Sequence, residues 1–373
     1  MGKIFKEYSE KNHIELPALT IIQGAGTVKR EDSDRNLMYD ESNLSNYKMV
    51  RKDDFIVHLR SFEGGLEKST LDGIISPAYH TFHSDEADSR FYYPYFRSYE
   101  FIKHKLVPHV YGIRDGRSID IDGMKTIEIP YASIEEQRKI GDYLEALDRL
   151  ITLHQRKCEE TKKLKKYMLQ KMFPQNGQTV PEIRFAGFTE DWEQRELGDI
   201  ITEYKETVDS DCILPILTSS KTEGVILQEE HFGRKQQHDI TGYNILPRNY
   251  CTYRNRSDGV DFTFNINKCC DKGIISKFYP VFSGKNSDVF FLSLVLNNSE
   301  EVVREIAYTC TGTGQKVLSF LDLQKMKVRV PNFDEQKEIA AYFESFDHLI
   351  TLHQKKCEEL QKIKKFMLQN MLV

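Results

Sequence analysis

Arginine, lysine, glutamine and serine gather in short turns of this sequence, and these residue types bind phosphates and base edges. Residues 254–257 (RNRS) form one such turn and residues 114–118 (RDGRS) form another. Arginine and lysine neutralise phosphate, arginine also fits guanine, and glutamine fits adenine. The candidates for nucleic-acid contact are Lys29, Arg30, Arg60, Arg114 and Arg117 in the first half of the chain, and Arg234, Lys235, Gln236, Arg254, Arg256, Gln315 and Lys316 in the second.

The order of these candidates along the chain suggests which of them correspond between the two halves. Lys29 and Arg30 match residues 234–237, Arg60 matches residues 254–257, and residues 114–118 match residues 311–316. Taken singly, each residue is better explained as a solvated surface charge. As paired sets at corresponding positions, they favour two related binding surfaces.

Complete catalytic motifs are missing from the sequence. Residues 64–70 (GGLEKST) approach a phosphate-binding loop, but Glu67 stands where that loop needs glycine. A loop with two adjacent prolines, by which amino-methyltransferases hold a flipped base, is absent, as are the GxSxG and HExxH motifs. His80 and His83 have no further ligands at metal spacing, and half-buried strand positions explain them better. We expect no active site and no metal.

Composition and charge leave a nucleic-acid partner open. The 373 residues carry a net charge of −5, yet residues 156–171 hold seven lysines and arginines against two glutamates. A DNA-binding protein needs a basic face rather than a basic total. The seven cysteines form no CxxC pair, and the sequence has neither a long apolar run nor an apolar leader. We expect a cytoplasmic protein with reduced thiols and no membrane partner.

An internal repeat organises the chain. Residues 137–172 align without gaps on residues 336–371, and 22 of the 36 positions are identical. Weaker matches precede it, including Ser76 with Tyr79 against Ser276 with Tyr279. Between these anchors the halves differ in sequence and length. The pattern predicts one scaffold that carries two different recognition surfaces.

The repeated segments must be helices by their local signals. Ser133 and Asp334 are the predicted N-caps, and Asp148 and Asp347 could cap a second helix after a bend. Apolar residues then recur at spacings of three and four, which predicts a coiled-coil face. The predicted helix-pairing residues are Ile151, His154, Cys158, Leu164, Met168, Ile350, His353, Cys357, Leu360, Ile363 and Met367.

The regions outside the repeat predict mixed α/β globules. Predicted strands are Phe55–Leu59, Tyr250–Tyr253, Ile274–Phe282 and Val289–Leu296, and alternation in residues 119–121 and 127–129 indicates half-buried strands. A helix is predicted over Ser299–Tyr308. The predicted domains are residues 1–132, a first target-binding globule, 133–173, a first spacer helix, 174–184, a linker, 185–331, a second globule, and 332–373, a second spacer helix.

These residues resemble the specificity subunits of type I restriction–modification enzymes. The resemblance covers nearly the whole chain and rests on the helical segments 136–172 and 335–371, which follow a twofold layout. It also rests on the entry segment PEIRF at 181–185, on Trp192, and on residues 314–316 (GQK) leading to Pro331. We know no other family that combines such helices with two divergent globules.

The resemblance implies both a fold and a role. The fold is α+β, with two pseudo-repeated mixed α/β target recognition domains separated by two long conserved helices that pack as an antiparallel coiled coil. Each domain reads one half of a bipartite double-stranded DNA site, and the helices set the spacer. The partners it implies are two methyltransferase subunits and two restriction (motor) subunits. The chain itself is non-catalytic and holds no cofactor, while S-adenosylmethionine, ATP and Mg²⁺ belong to the partner subunits.

Two other functions compete with this one. A coiled-coil scaffold or anti-restriction decoy would hold the partners without reading DNA, but it has no need of two different surfaces. A self-contained DNA methyltransferase needs the cofactor loop that the sequence lacks. The family's entry segment precedes the second repeat alone, so we expect a first domain that is short at its N-terminus.

Overall fold

The computed structural model describes residues 1–32, 41–58, 63–112, 118–175, 177–235, 239–311 and 315–371. The chain divides into two compact units. Unit 1 combines residues 1–156 with residues 353–373, and unit 2 spans residues 157–352. Each unit therefore contains one globule together with a part of each of the two long repeated helices.

Unit 1 is built from short antiparallel strands and a few helices. Its strands are β1 (Lys6–Tyr8), β2 (Leu19–Ile22), β3 (Gly26–Lys29), β4 (Lys48–Val50), β5 (Phe55–His58), β6 (Glu67–Lys68), β7 (Gly73–Ile75), β8 (Tyr79–His83), β9 (Val110–Tyr111) and β10 (Ser118–Ile119). Its helices are α1 (Ser89–Phe96), a π-helix (Glu100–Leu106), α2 (Ile121–Lys125) and the first part of α3 (Ile134–Lys171), with 3₁₀ turns at Arg30–Asp32, Glu41–Asn46 and Val107–His109.

Unit 2 repeats this architecture with additions. Its strands are β11 (Glu193–Glu196), β12 (Ile201–Tyr204), β13 (Leu217–Ser220), β14 (Gly224–Leu227), β15 (Asn244–Pro247), β16 (Cys251–Thr252), β17 (Arg256–Ser257), β18 (Asn265–Ile266), β19 (Lys272–Ile275), β20 (Val281–Gly284), β21 (Lys316–Val317) and β22 (Lys327–Val330). Its helices are α4 (Leu197–Ile200), α5 (Gln228–Phe232), α6 (Val289–Asn298), α7 (Glu300–Thr309), α8 (Phe320–Lys325) and the first part of α9 (Phe333–Met371).

Strand pairing shows which residues hold the same place in the two units. A four-stranded sheet has the order β1-β8-β5-β6 in unit 1 and β12-β20-β16-β18 in unit 2. Phe82 pairs with Phe55 in unit 1, as Phe282 pairs with Cys251 in unit 2. The hairpins β2–β3 and β13–β14 also share one register. We call residues at matching ladder positions equivalent. The predicted fold of two repeated α/β domains with two long helices is confirmed.

Each globule has a core of its own under its sheet. Phe55, Phe82 and Phe96 are fully buried in unit 1, and Phe282 and Phe291 are fully buried in unit 2. The predicted strand at Val289–Leu296 is wrong, because Asp288 caps this run as helix α6. An apolar run buried on several sides does not distinguish strand from helix by its periodicity. Of the two alternating segments predicted as strands, residues 119–121 have strand structure only at Ile119, and residues 127–129 have none.

The long helices α3 and α9 are continuous, so the predicted bend at Asp148 and Asp347 is wrong. Both aspartates lie inside a helix and bind a lysine of the other long helix. Lys364 donates to Asp148 at 2.5 Å within unit 1, and Lys165 donates to Asp347 at 2.5 Å within unit 2. Ser133 caps α3 as predicted, through its hydroxyl and the Glu136 amide. Asn332, rather than Asp334, caps α9.

The pairing faces of these helices meet in an antiparallel arrangement. Leu147 and Ile151 pack on Leu360, and the thiol of Cys357 donates to the Ile151 carbonyl at 3.6 Å. His154 and His353, which lie 199 positions apart in the sequence, approach each other at 3.0 Å between their Nδ1 atoms. One imidazole must be neutral to accept that hydrogen bond.

The remaining predicted pairing residues fall on two different faces. Cys158 is buried, Ile350 is half-buried, and Met168 and Met367 pack against the cores of units 2 and 1. Leu164 and Ile363 are instead 48% and 41% exposed, which removes them from the pairing face. A seven-residue repeat that starts at Ile151 reaches Lys165, and one that starts at Ile350 reaches Lys364. Both lysines form ion pairs, and each lies one position after the exposed Leu164 or Ile363.

A glutamine at the start of each long helix fastens that helix to its globule. Gln137 accepts the Asp88 amide at 3.0 Å, and Gln336 accepts the Asp288 amide at 3.1 Å. Each side chain also donates to the carbonyl five residues before it. Asp88 and Asp288 cap α1 and α6, so the hydrogen bonds of the two glutamines position equivalent helices in the same way.

Ile151→Asp should lower the free energy of unfolding by about 2–4 kcal/mol, because it places a carboxylate between Leu147 and Leu360 and removes apolar contact. Leu150→Asp on the same helix is the control. Leu150 is 43% exposed, and its substitution should cost less than about 1 kcal/mol. Urea unfolding of both variants measures the difference. Equal losses would show that the pairing face does not stabilise unit 1.

Candidate nucleic-acid interface

A wide cleft of about 1140 Å³ opens on unit 2. Arg254 enters it directly after strand β16, and Arg234 and Lys235 enter it after helix α5. Lys277 and Phe278 come from the turn between β19 and β20, which the Tyr279 amide closes on the Ser276 carbonyl at 2.9 Å. Three of the predicted contact residues therefore share one surface.

A second cavity, of about 520 Å³, extends this surface past Arg254 and Tyr279, which line both. Arg256 lines the second cavity and belongs to strand β17. Strand β17 pairs with β21, which sets Lys316 opposite Ser257. Exposed Gln315 precedes Lys316. Strand pairing thus gathers predicted residues that are about sixty positions apart in the sequence.

Several cations on this surface have no carboxylate partner within the described part of the chain. Arg234, Arg254, Arg256, Lys277 and Lys316 are in this group. Elsewhere in unit 2 the basic residues are commonly neutralised, as Arg248 is by Asp271 at 2.8 Å and Arg304 by Glu300 at 2.8 Å. Lys235 lies 3.8 Å from Glu229. The surface is therefore prepared to accept an external anion.

Two tyrosines complete the cleft wall as neutral hydrogen-bonding groups. Burial raises the pKa of Tyr279, although nearby Arg254 and a hydrogen bond to Thr218 act in the opposite direction. Burial also raises the pKa of Tyr243, against the effect of its hydrogen bond to Ser276. Both phenols stay protonated at neutral pH and can donate or accept hydrogen bonds.

Unit 1 places different residues at the equivalent positions. The Arg30 amide bonds to the Ala18 carbonyl as the Gln228 amide bonds to the Ile216 carbonyl, so Arg30 is equivalent to Gln228. The matching of Lys29 and Arg30 with residues 234–237 is therefore corrected. Sequence order could not detect this equivalence, because it depends on the backbone register of the two hairpins.

The same strand ladders make His58 equivalent to Arg254 and Tyr79 equivalent to Tyr279. His58 and Tyr79 are in edge contact, with ring centroids 4.8 Å apart. Arg30 donates to the Tyr47 hydroxyl at 3.3 Å and lies 5.2 Å from its ring centroid. Lys29, by contrast, pairs with Glu31 at 3.6 Å. Unit 1 thus presents arginine, histidine and tyrosine where unit 2 presents glutamine, arginine and tyrosine.

Four predicted contact residues, Arg60, Arg114, Arg117 and Gln236, lie outside the described residues. The sequence analysis missed Gln228, Tyr243, Lys277 and Phe278. One available signal was the repeated Ser-x-x-Tyr turn at residues 76–79 and 276–279, whose two central residues differ between the halves.

Within the described ranges, no group of three or more histidine, cysteine, aspartate or glutamate side chains is placed to hold a metal ion. No described helix is long and apolar enough to cross a membrane.

The family model for the type I restriction modification DNA specificity domain matches residues 67–163 and 189–362. The chain belongs to this family. The two matched stretches include the turns Ser76–Tyr79 and Ser276–Tyr279 and the first part of each long helix. The family model thus matches each of the two repeated units of the fold.

Relatives of this chain include two Methanocaldococcus jannaschii proteins. One is assigned as the MjaX type I restriction enzyme specificity subunit and is 27% identical over 270 residues. The MjaVIII specificity subunit is 24% identical over 269 residues. Each match covers 66% of this chain but only 59% and 61% of the respective relatives. The crystal structure of a type I restriction-modification system S subunit from M. genitalium has the same fold, with a TM-score of 0.59 at 14% identity over 100% of this chain and 94% of that one.

Proposed function

We propose that this chain is the non-catalytic DNA-specificity subunit of a cytoplasmic type I restriction–modification complex. Unit 1 reads one half of a bipartite site and unit 2 reads the other. The observation that carries the proposal is that the residues around the unit 2 cleft have equivalents in unit 1 on matching strands and turns, but with different side chains. His58 against Arg254 and Arg30 against Gln228 give the two surfaces different hydrogen-bonding patterns.

Recognition divides between phosphates and bases. Lysines such as Lys277 and Lys316 suit phosphate oxygens, whereas arginine and glutamine can also address base edges in the major groove. Arg254 and Arg256 line adjoining cavities and have no carboxylate partner among the described residues, so their charge is available to phosphates and base edges. This observation favours the DNA-reading function over a scaffold or decoy.

The catalytic work belongs to partner subunits in this proposal. Two methyltransferase subunits would supply S-adenosylmethionine chemistry, and two restriction subunits would supply ATP and Mg²⁺ chemistry. The surface offered to the methyltransferases is a set of exposed apolar side chains on the long helices, repeated at equivalent positions. They are Leu150, Leu153, Ile363 and Phe366 in unit 1, and Leu349, Leu352, Leu164 and Tyr167 in unit 2. Exposed leucines that recur twice favour two copies of one partner.

Leu150→Asp with Leu153→Asp should weaken binding of a methyltransferase subunit to unit 1 at least about tenfold, because both leucines are more than 40% exposed and would be buried by the partner. The equivalent change, Leu349→Asp with Leu352→Asp, should remove the second copy. Mass measurement of the assembled complex counts the bound copies. Lys356→Asp, at an exposed lysine of α9, is the charged control. Loss of both copies from either double variant would contradict two separate docking surfaces.

Selection from a random DNA library tests the proposed function with the purified chain. We expect enrichment of a motif with two constant blocks separated by a fixed number of unspecified bases. Enrichment of no sequence at all would support the scaffold. A single constant block would contradict the assignment of one half-site to each unit.

A further inference from the structure

Arg256 is held in place from several directions before any DNA binds. The Asn255 amide donates to the Phe278 carbonyl at 2.9 Å, and the Asn255 carbonyl accepts the Leu318 amide at 3.0 Å. Arg256 itself pairs with Val317 in the β17–β21 ladder. Its guanidinium carbon lies 4.5 Å from the centroid of the Phe278 ring. The backbone and the aromatic face together limit where this side chain can point.

Phe278 is also unusual for a surface aromatic. It occupies the third position of the turn at residues 276–279 and remains 37% exposed, with the Lys277 ammonium 5.9 Å from its ring. The equivalent turn of unit 1 has Pro77 and Ala78 at its centre, so an aromatic ring is specific to unit 2. A base edge carries both apolar groups and hydrogen-bond acceptors, whereas a phosphate carries only charged acceptors. A partly exposed ring in contact with an arginine therefore favours a base edge as the bound group.

We propose that Arg256, positioned on the Phe278 ring, reads a guanine in the half-site of unit 2. This inference rests on the proposed function. Guanine presents two acceptors, N7 and O6, in the major groove, and the arginine fork can bind both at once. An arginine whose plane is restrained loses less conformational entropy on forming that pair. Lys277 and Lys316 supply cations around it for the phosphates.

Phe278 is a positioning residue in this arrangement, because it acts through Arg256. The cation–aromatic contact favours Arg256 rotamers that keep the guanidinium on the Phe278 ring over rotamers directed into solvent. Removing the ring should therefore weaken discrimination at the guanine while leaving the charge of the surface unchanged.

The test uses the complete chain and a duplex that carries its selected site. Each guanine of the unit 2 half-site is replaced in turn by 7-deazaguanine, which lacks the N7 acceptor. We expect one replacement to weaken binding roughly 2- to 12-fold, about half of the free energy of a bidentate base contact, because the O6 acceptor remains. Arg256→Ala should bind normal and modified duplexes almost equally, since alanine has no donor for the N7 acceptor.

The Phe278 variants separate positioning from general damage. Replacing guanine with 7-deazaguanine should reduce the affinity of Phe278→Ala less than it reduces the affinity of the unmodified chain. Phe278→Tyr should restore the full loss of affinity, which is the 7-deazaguanine penalty. Phe232→Ala removes another exposed ring of the same cleft, and Arg304→Lys changes an ion-paired arginine on α7. Both controls should keep the full penalty.

Several results would overturn the inference. Arg256→Ala could retain the full loss of affinity at every modified guanine, or weaken all duplexes by the same factor as loss of a phosphate contact would. A unit 2 half-site without guanine would overturn it equally. These results differ from failure of the proposed function, in which the unmodified chain would select no DNA sequence.

Discussion

We expect alanine at both Arg254 and Arg256 to relax one half of the DNA site and to leave the other half intact. The two arginines have no carboxylate partner among the described residues and line the cavities of unit 2. If each forms a good base contact, their loss should cost about 2–6 kcal/mol of discrimination at the bases that unit 2 reads. The measurement is the binding of duplexes in which each half-site is mutated separately.

The expected result depends on the separation of the two recognition surfaces. Unit 1 presents Arg30, His58 and Tyr79 from strands and turns of its own, so its half-site should be read as before. Arg248→Ala with Arg304→Ala is the matched control, because it removes the same charge from ion-paired positions of unit 2. Equal relaxation of both halves would contradict the assignment of one unit to one half-site.

Unit 2 should lose about 3–5 kcal/mol of stability when Arg184 is changed to methionine. Arg184 donates through Nε and Nη2 to the two carboxylate oxygens of Glu335, each at 2.7 Å. The Glu335 side chain is completely buried, so the variant leaves a buried charge without its partner. Urea or thermal unfolding gives the loss directly.

The repeat provides a control for this ion pair. Glu136 is the sequence equivalent of Glu335 but is exposed, and Glu136→Gln should change stability by less than about 0.5 kcal/mol. The double variant Arg184→Met with Glu335→Leu should regain much of the lost stability, because it removes the buried and unpaired Glu335 carboxylate. A double variant as unstable as Arg184→Met would show that packing of the arginine stem, rather than its charge, stabilises this site.

The long helices were predictable because their segment is repeated in the sequence. Two copies of one helical segment, each with its cap signals, predicted the long helices and a coiled-coil face, and the family resemblance implied that the helices pair antiparallel. The errors in the predicted pairing face arose where an apolar residue lies outside the position that the seven-residue repeat assigns to that face. Leu164 and Ile363 are apolar but fall one position before the pairing face, where Lys165 and Lys364 reach Asp347 and Asp148. Periodicity is the better guide when apolar residues occupy two faces.

The candidate interface was predictable in its residue types but not in its correspondences. Arginines in turns identified Arg254 and Arg256, whereas the equivalence of Arg30 with Gln228 depends on a backbone hydrogen bond that only the fold reveals. Phe278 was missed because an aromatic residue beside a turn usually indicates core. Its exposure and its contact with Arg256 come from long-range strand pairing, which local patterns do not encode.

Methylation mapping tests the central claim most directly. The chain would be co-expressed with its cognate methyltransferase subunit, and adenine methylation would be mapped at single-base resolution. We predict one split motif with a fixed spacer, methylated on both strands, whose second half alone changes in the Arg254→Ala, Arg256→Ala variant. Methylation that follows no split motif, or that is identical in the variant, would contradict the proposal that the two units of this chain read DNA.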